Sequence, residues 1–184
     1  MAPRYSKEPA IRMFPIELKE THKETSQSNG GQYEIKYILP PTGSKVNRVL
    51  IAGPVTAIDK MDSNREGYRM RISGITESTG SVPITAMEEF QPDAYEAISK
   101  IEAPAFVVAI AKPSLFQPQD AEEPLVTLRA ESVRVLDDLK SLKWFIQETA
   151  KATTERLDEN EVDPDVKKRY EDIVADVLEE IGDE

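Results

Sequence analysis

Apolar and polar residues alternate along two short segments in the middle of the chain. In residues 67–76 an apolar residue occupies every second position from Tyr68 to Ile72, and residues 81–86 repeat the pattern. A period of two is typical of a strand with one buried face. Longer, nearly continuous apolar segments also predict strands, and they span residues 46–59, 104–113 and 125–137.

The order of these elements predicts the fold. Between the third and fourth strands, residues 92–102 carry apolar side chains at helical spacing, with Pro92 at the start. Gly53-Pro54 interrupts the long first strand and permits a sharp bend. Three strands, a helix and two strands, with a kinked first strand, are typical of a five-stranded Greek-key barrel, the OB-fold. We therefore expect a mainly β chain with its OB-fold domain at residues 42–138; another small β-barrel or α+β domain is the alternative.

Residues 1–41 are predicted to form a loose arm followed by an extra N-terminal β-hairpin. Residues 10–19 and 33–39 show strand-like character, and the polar segment between them ends in Gly30-Gly31, as a hairpin loop would. Pro15 would confine the first of these strands to an edge or a bulge.

Two C-terminal helices are predicted after the barrel. In residues 139–158, apolar side chains and threonines recur at alternating spacings of three and four, which is typical of a bundle seam. This helix either packs back on its own barrel or assembles with helices of a partner, and the pattern alone favours neither. The candidate partner-interface residues are Leu139, Leu142, Trp144, Phe145, Ile146, Thr149, Thr153 and Leu157. Residues 159–184 are predicted to form an acidic amphipathic helix that begins at Asp163-Pro164.

Composition excludes several classes of catalytic and metal site. The chain has no cysteine and one histidine, His22, which excludes disulfides, thiolate metal sites, cysteine nucleophiles and catalytic triads. No glycine-rich phosphate loop occurs, and no apolar run approaches the ~18 residues of a membrane span. We expect a non-enzymatic cytoplasmic chain that associates with the nucleoid, with no cofactor, metal, membrane or small-molecule substrate.

The net charge of −11 is concentrated at the C-terminus. Residues 155–184 hold 13 acidic and 4 basic residues, a balance of −9, whereas residues 1–154 have a balance of only −2. The acidity therefore does not exclude an anionic ligand for the barrel. The acidic tail either solubilises the chain or docks on a basic partner.

Cations cluster on the predicted outer face of the barrel. If Met70 and Ile72 point inward, Arg69 and Arg71 point outward. An OB barrel binds single-stranded nucleic acid or oligosaccharide on this face, where cations neutralise phosphates and aromatic rings stack on bases. The candidate nucleic-acid-binding residues are Arg48, Lys60, Arg69, Arg71, Lys112, Phe116 and Arg129.

Several ordered segments carry a family resemblance. They are VNRVLIAGPVT, YRMRI, EFQPDA, IEAPAFVVAIAKPSLF, LRAESVRVLD and WFIQETAKATTERL. The set resembles the archaeal replication protein A-associated proteins, which are OB-fold subunits related to the middle subunit of replication protein A. The likeness covers residues 42–157, and its most distinctive part is Trp144 followed by an ETA-x-x-T-x-x-R helix.

The resemblance implies a subunit of a heteromeric replication protein A-like complex that binds single-stranded DNA in replication and repair. It also implies that the helix after the barrel bundles with partner subunits. The family's third-strand region typically reads Asp-Pro-Thr-Gly and then aromatic-Ala-Gly-Gln-Tyr, whereas this chain has Glu77–Gly80 and then Thr85–Phe90, with acids at Glu88 and Glu89. These departures predict weak DNA contacts from this subunit. The alternatives are a stand-alone single-stranded-DNA-binding protein and an assembly or adaptor module that binds no DNA.

Overall fold

The computed structural model of the protein describes residues 8–28, 34–61 and 64–182. A short 3₁₀ turn at Glu77–Thr79 precedes the sixth strand. In chain order the strands and α-helices are β1 (Ile11–Arg12), α1 (Pro15–Lys19), β2 (Glu24–Ser28), β3 (Glu34–Ile38), β4 (Val49–Lys60), β5 (Gly67–Ser73), β6 (Ser81–Met87), α2 (Pro92–Ser99), β7 (Ala105–Phe116), β8 (Leu125–Leu136), α3 (Leu139–Glu159) and α4 (Pro164–Gly182).

Strands β4 to β8 close into a five-stranded barrel, as the sequence pattern predicts. The antiparallel pairs are β4–β5, β5–β6, β7–β8 and β4–β7, the last of which closes the ring, while β6 runs parallel to β8. Buried side chains from every strand fill the interior, and α2 inserts Ala94 and Ile98 at one end. The order of the elements predicted this closure correctly.

The long strand β4 takes part in both halves of the barrel because it bends. Its register with β5 shifts between Val55 and Ala57. At Gly53 the backbone passes so close to the neighbouring strand that a Cβ would lie 2.0 Å from the carbonyl oxygen of Ser73. Only glycine fits there, which explains the Gly-Pro step in an otherwise apolar strand.

The predicted strand over residues 10–19 is wrong. Only β1 is extended there, parallel to β4, and α1 begins at Pro15. Proline fits the first position of a helix because its missing N–H would have no partner in the helix anyway. The hairpin that forms joins β2 with β3, so the polar segment expected as a loop contains a strand. Tyr33 and Gly30-Gly31, which belonged to the predicted hairpin, lie outside the described residues.

The two C-terminal helices fold back on the barrel. Leu142, Ile146 and Ala150 of α3 form one apolar cluster that also includes Val174 and Val177 of α4. Asp163 Oδ1 accepts hydrogen bonds from the backbone at the start of α4, as the Asp-Pro pair predicts.

Tyr170 anchors the first half of α4. Its side chain is buried in a second apolar cluster with Leu157 and Ile173, and its hydroxyl donates a hydrogen bond to Glu20. Burial and this acidic neighbour raise the pKa of Tyr170 above its ordinary range.

Candidate nucleic-acid interface

Three exposed cations form a transverse row across four strands of the barrel. In register, Arg69 of β5 lies beside Thr85 of β6, Thr85 beside Arg129 of β8, and Arg129 beside Lys112 of β7. Adjacent strands are about 4.8 Å apart, so the row spans roughly 14 Å. Within the described part of the chain, none of the three cations forms an ion pair. We refer to Arg69, Arg129 and Lys112 as the cationic row.

The pleat of the strands fixes the outward direction of this row. Met70, Ile84 and Leu128 occupy the next row along the same strands, and all three are buried in the barrel core. Because successive side chains of a strand point to opposite faces, Arg69 and Arg129 must point to solvent. This is the placement that the alternation predicts for Arg69 and Arg71.

Arg71 lies one position further along the same face. Its guanidinium donates a hydrogen bond to the Ser81 hydroxyl at 3.0 Å while remaining exposed. Its neighbours in register are Ala57 and Pro83, so this end of the face carries a cation between small, uncharged side chains.

Apolar side chains extend the face toward the β7–β8 loop. Phe116 is 58% exposed and lies opposite Leu125, which is also exposed. Phe116 is four residues from Lys112 on one strand, so both side chains point to the same face. An exposed ring on the same face as cations is the combination that binds stacked bases of a single strand.

Acidic groups lie at the edges of this face. Asp59 lies beside Arg69 in register, and Glu122 and Glu123 are exposed in the β7–β8 loop. The Lys60 amine lies 2.9 Å from the Glu66 carboxylate, which raises the pKa of Lys60. Lys60 is therefore outside the row, and its charge already has a partner.

The structure corrects the placement of Arg48, which was expected to point outward. Its side chain is only 9% exposed. Two guanidinium nitrogens donate to the Glu131 carboxylate at 2.9 and 3.0 Å, and a third donates to the carbonyl oxygen of Glu8 at 2.8 Å. Arg48 is enclosed because β1 packs beside it, with the Ile11 N–H donating to its carbonyl oxygen. Arg48 therefore fastens the N-terminal segment to the barrel.

The structure also contradicts the prediction that the buried stripe of α3 is a partner interface. Its members Leu142, Ile146, Thr149, Thr153 and Leu157 are almost completely buried inside this chain. They face the barrel, α1 and α4, which supply the apolar neighbours expected from a partner. The alternative of a helix packed on its own barrel is therefore the correct one for these five side chains.

Three of the candidate interface residues remain accessible. Leu139 and Trp144 are about half exposed, and Phe145 is partly buried. The Arg12 guanidinium lies over the rings of Trp144 and Phe145, at 5.4 and 5.7 Å from their centroids. An exposed tryptophan held by an arginine is typical of a binding hot spot.

A buried polar cluster that the sequence did not reveal fixes α3 to the N-terminal segment. The Glu17 carboxylate accepts hydrogen bonds from Arg156, from the hydroxyls of Thr42 and Thr153, and from the backbone N–H of Phe14. No sequence motif marks Glu17 as a buried acid. The one available signal was Arg156, whose position on the buried side of the α3 pattern could have indicated a cation inside the protein. Thr85 and Leu125 were also missed, although the strand register places Thr85 beside Arg69 and Arg129 and Leu125 beside Phe116.

The described residues contain no cluster of three or more His, Asp or Glu side chains that could hold a metal ion. None of the helices within these ranges is long and apolar enough to cross a membrane.

Comparison with known proteins identifies the fold. No family model matches the chain, and no curated protein matches it. A chain of the crystal structure of the S. pombe Stn1-ten1 complex superposes with a TM-score of 0.61 at 12% identity, covering 82% of this chain and 96% of that chain. The yeast Stn1 and Ten1 structure gives a TM-score of 0.47 at 14% identity, covering 70% of this chain and 63% of that one. The mitochondrial single-stranded DNA binding protein Rim1 from S. cerevisiae gives 0.40 at 17% identity, covering 48% and 94%.

The first of these likenesses extends over most of both chains and establishes the class of fold. This chain is a mainly β OB-fold barrel with an additional N-terminal segment and C-terminal helices.

Proposed function

We propose that this chain is a non-catalytic OB-fold subunit of a heteromeric complex that binds single-stranded DNA in replication and repair. More specifically, we propose that this complex is similar to the archaeal replication protein A complexes and that it associates with the nucleoid. The observation that carries the DNA-binding part is the cationic row. Arg69, Arg129 and Lys112 point outward in one row that crosses β5, β6, β8 and β7, and none of them has an acidic partner within the described residues.

The shape of this face supports a single strand as the ligand. Thr85 is small and half-buried between Arg69 and Arg129, so it leaves a shallow path between two cations. Phe116 and Leu125 lie further along the same face and offer apolar surface to bases that are not paired. A duplex stacks its bases internally, so it would gain the phosphate contacts without the stacking contacts.

The acidic neighbours support weak binding. Asp59 lies next to Arg69, and Glu122 and Glu123 lie in the loop beyond Phe116. Each would repel phosphates at short range. We therefore propose that this subunit adds weak DNA contacts to a complex whose main DNA-binding site lies in another chain.

The assembly part of the proposal uses the outer face of α3. Its buried seam is occupied by this chain, whereas Trp144 and Leu139 remain accessible. The S. pombe structure contains a complex of two named proteins, and we extend the idea of a bound partner chain to this protein. Capture of another DNA-binding subunit by the full chain is the result that supports this part.

Fluorescence anisotropy with the purified full chain tests DNA binding. The ligands are a labelled oligothymidine of about 20 nucleotides, longer than one OB-fold site of ~4–16 nucleotides, and a duplex of equal length. We expect measurable binding to the single strand and weaker binding to the duplex. Equal affinities would indicate non-specific charge attraction, and no binding to either would favour the adaptor module that binds no DNA. Tight binding by the chain alone would favour the stand-alone binder.

A further inference from the structure

The outward face of α3 carries a stripe of side chains that is complementary to its own reverse order. Its members recur at helical spacing and lie opposite the buried side that includes Leu142 and Ile146. All are exposed except Glu148, which is half-buried. The stripe consists of Lys140, Trp144, Gln147, Glu148, Lys151 and Glu155.

This stripe pairs with itself when two copies of the helix run antiparallel. A two-fold axis between Gln147 and Glu148 sets Lys140 of one copy against Glu155 of the other. The same axis sets Trp144 against Lys151, a cation over an aromatic ring, and Gln147 against Glu148, a hydrogen-bonding pair. Each contact occurs twice, as a closed two-fold interface requires.

The surface of α3 also offers space for the tryptophan of a second copy. A depression of about 470 Å³ lies over α3 beside α4, and Lys151, Thr154 and Glu155 line it together with Ala150. Leu178 of α4 forms its apolar wall and is 44% exposed. Since the two-fold axis brings Trp144 of the other copy to Lys151, its indole would enter this depression and cover Leu178.

We infer that this chain forms an antiparallel homodimer through the outer face of α3, with Trp144 of each copy in the depression beside Leu178 of the other. Arg12 lies over the Trp144 ring at 5.4 Å, so the indole is already oriented. The inference deepens the assembly part of the proposed function, on which it rests, because it assigns this face to a second copy; another subunit of the complex would then bind a different surface.

The dimer leaves the DNA-binding face free. The apolar cluster around α3 includes Phe106 of β7 and Leu136 of β8, whereas the cationic row crosses the same strands at Lys112 and Arg129. Lys112 lies six residues from Phe106, or about 20 Å along the strand. Failure of the dimer and failure of DNA binding can therefore be observed separately.

The mass of the full chain in solution tests the dimer. One helix face per protomer makes a small interface, for which weak affinity is expected, so sedimentation equilibrium should cover about 1 to 200 µM. We expect the mass to rise from 20.6 kDa toward twice that value. Trp144 is the only tryptophan, so its emission should shift to shorter wavelength over the same concentrations. A mass of one chain throughout would overturn the inference, while single-strand binding by that monomer would leave the DNA-binding proposal intact.

Charge reversal tests the antiparallel register. Lys140→Glu alone sets two acids against each other twice in a homodimer, and Glu155→Lys alone sets two lysines against each other. Each variant should dimerise at least about tenfold more weakly than the wild-type chain. An equimolar mixture of the two should recover the dimer, because every pair is then of opposite charge.

Two control variants separate this interface from general effects. Lys36→Glu makes the same change of charge at an exposed position of β3, and Phe90→Ala removes an exposed ring from the turn after β6; both should leave dimerisation unchanged. Trp144→Ala should abolish it. A dimer that survives Trp144→Ala, or single charge variants whose mixture stays monomeric, would contradict the proposed face.

Discussion

The Glu17 carboxylate and the Arg156 guanidinium form a buried ion pair between residues 139 positions apart in the chain. The pair joins α1 to α3, and the Arg156 guanidinium also donates to the carbonyl oxygen of Arg12 at 2.9 Å. Thr42 brings the segment before β4 into the same cluster through a hydrogen bond of 2.8 Å to Glu17. The helix after the barrel is thus fixed at its C-terminal half by charge and at its N-terminal half by apolar packing.

Removing one partner of this pair should destabilise the whole fold. Glu17→Ala leaves the Arg156 guanidinium buried beside Thr153 without a carboxylate, which costs about 3–5 kcal/mol of unfolding free energy. Urea denaturation followed by circular dichroism measures this loss. The matched control is Glu66→Ala, which breaks the exposed ion pair with Lys60 and should cause no measurable change. A loss below about 1 kcal/mol for Glu17→Ala, the size of a surface pair, would show that the pair does not hold α3.

Charge in the α3 seam should unfold the chain rather than release a partner. Ile146 is 2% exposed and packs in the cluster shared with α4, so Ile146→Asp buries an unpaired carboxylate and should lower stability by more than about 3 kcal/mol. Trp144→Ala, on the exposed side of the same helix, should keep most of the stability. Thermal melts of the two variants make the comparison. If the Ile146→Asp chain stays folded and loses only its partners, the seam is an intermolecular interface and the prediction is wrong.

The start of α3 should contribute an acid-sensitive part of the stability. Asp138 accepts a hydrogen bond of 2.8 Å from the Ser141 N–H, which lowers the pKa of Asp138 from its ordinary value of 3.8. A carboxyl with a lower pKa in the folded state stabilises the fold above its unfolded pKa, and it loses that contribution as the pH falls through the folded pKa.

Asp138→Ala should therefore lower the melting temperature at pH 7, and the difference from the wild-type chain should shrink as the pH falls from about 5 toward 3. Asp138→Asn keeps a helix-capping side chain without the charge, so its melting temperature should depend less on pH. A difference between wild type and Asp138→Ala that stays constant with pH would show that the charged form contributes nothing.

The barrel could be predicted because the residue pattern within each strand shows which of its faces is buried. The alternation from Tyr68 to Ile72 determined which side of β5 is buried, and that rule placed Arg69 and Arg71 outside. The Gly53 bend was predictable for the same reason, since a glycine inside an apolar strand indicates a bulge or a close backbone approach.

The features that were missed depend on contacts between distant segments. Glu17 gave no local sign that it would be buried, because its partners Thr42 and Arg156 come from far along the chain. Residues 10–19 were assigned to a strand on their strand-like character, but a short apolar segment does not distinguish a strand from a helix. The α3 seam was predicted correctly as a buried stripe, but the pattern cannot show whether the covering side chains belong to the same molecule.

The most direct test of the account is the salt dependence of single-strand binding by the cationic row. Each phosphate contact that is removed should reduce the slope of log affinity against log salt concentration by about 0.7 for a single strand. The double variant Arg69→Ala with Arg129→Ala should thus bind oligothymidine more weakly, with a slope reduced by about 1.4. Arg134→Ala is the matched control, because Arg134 is exposed on β8 five residues from Arg129, and it should leave the slope unchanged. A double variant with the wild-type slope would show that single-stranded DNA does not bind across this face.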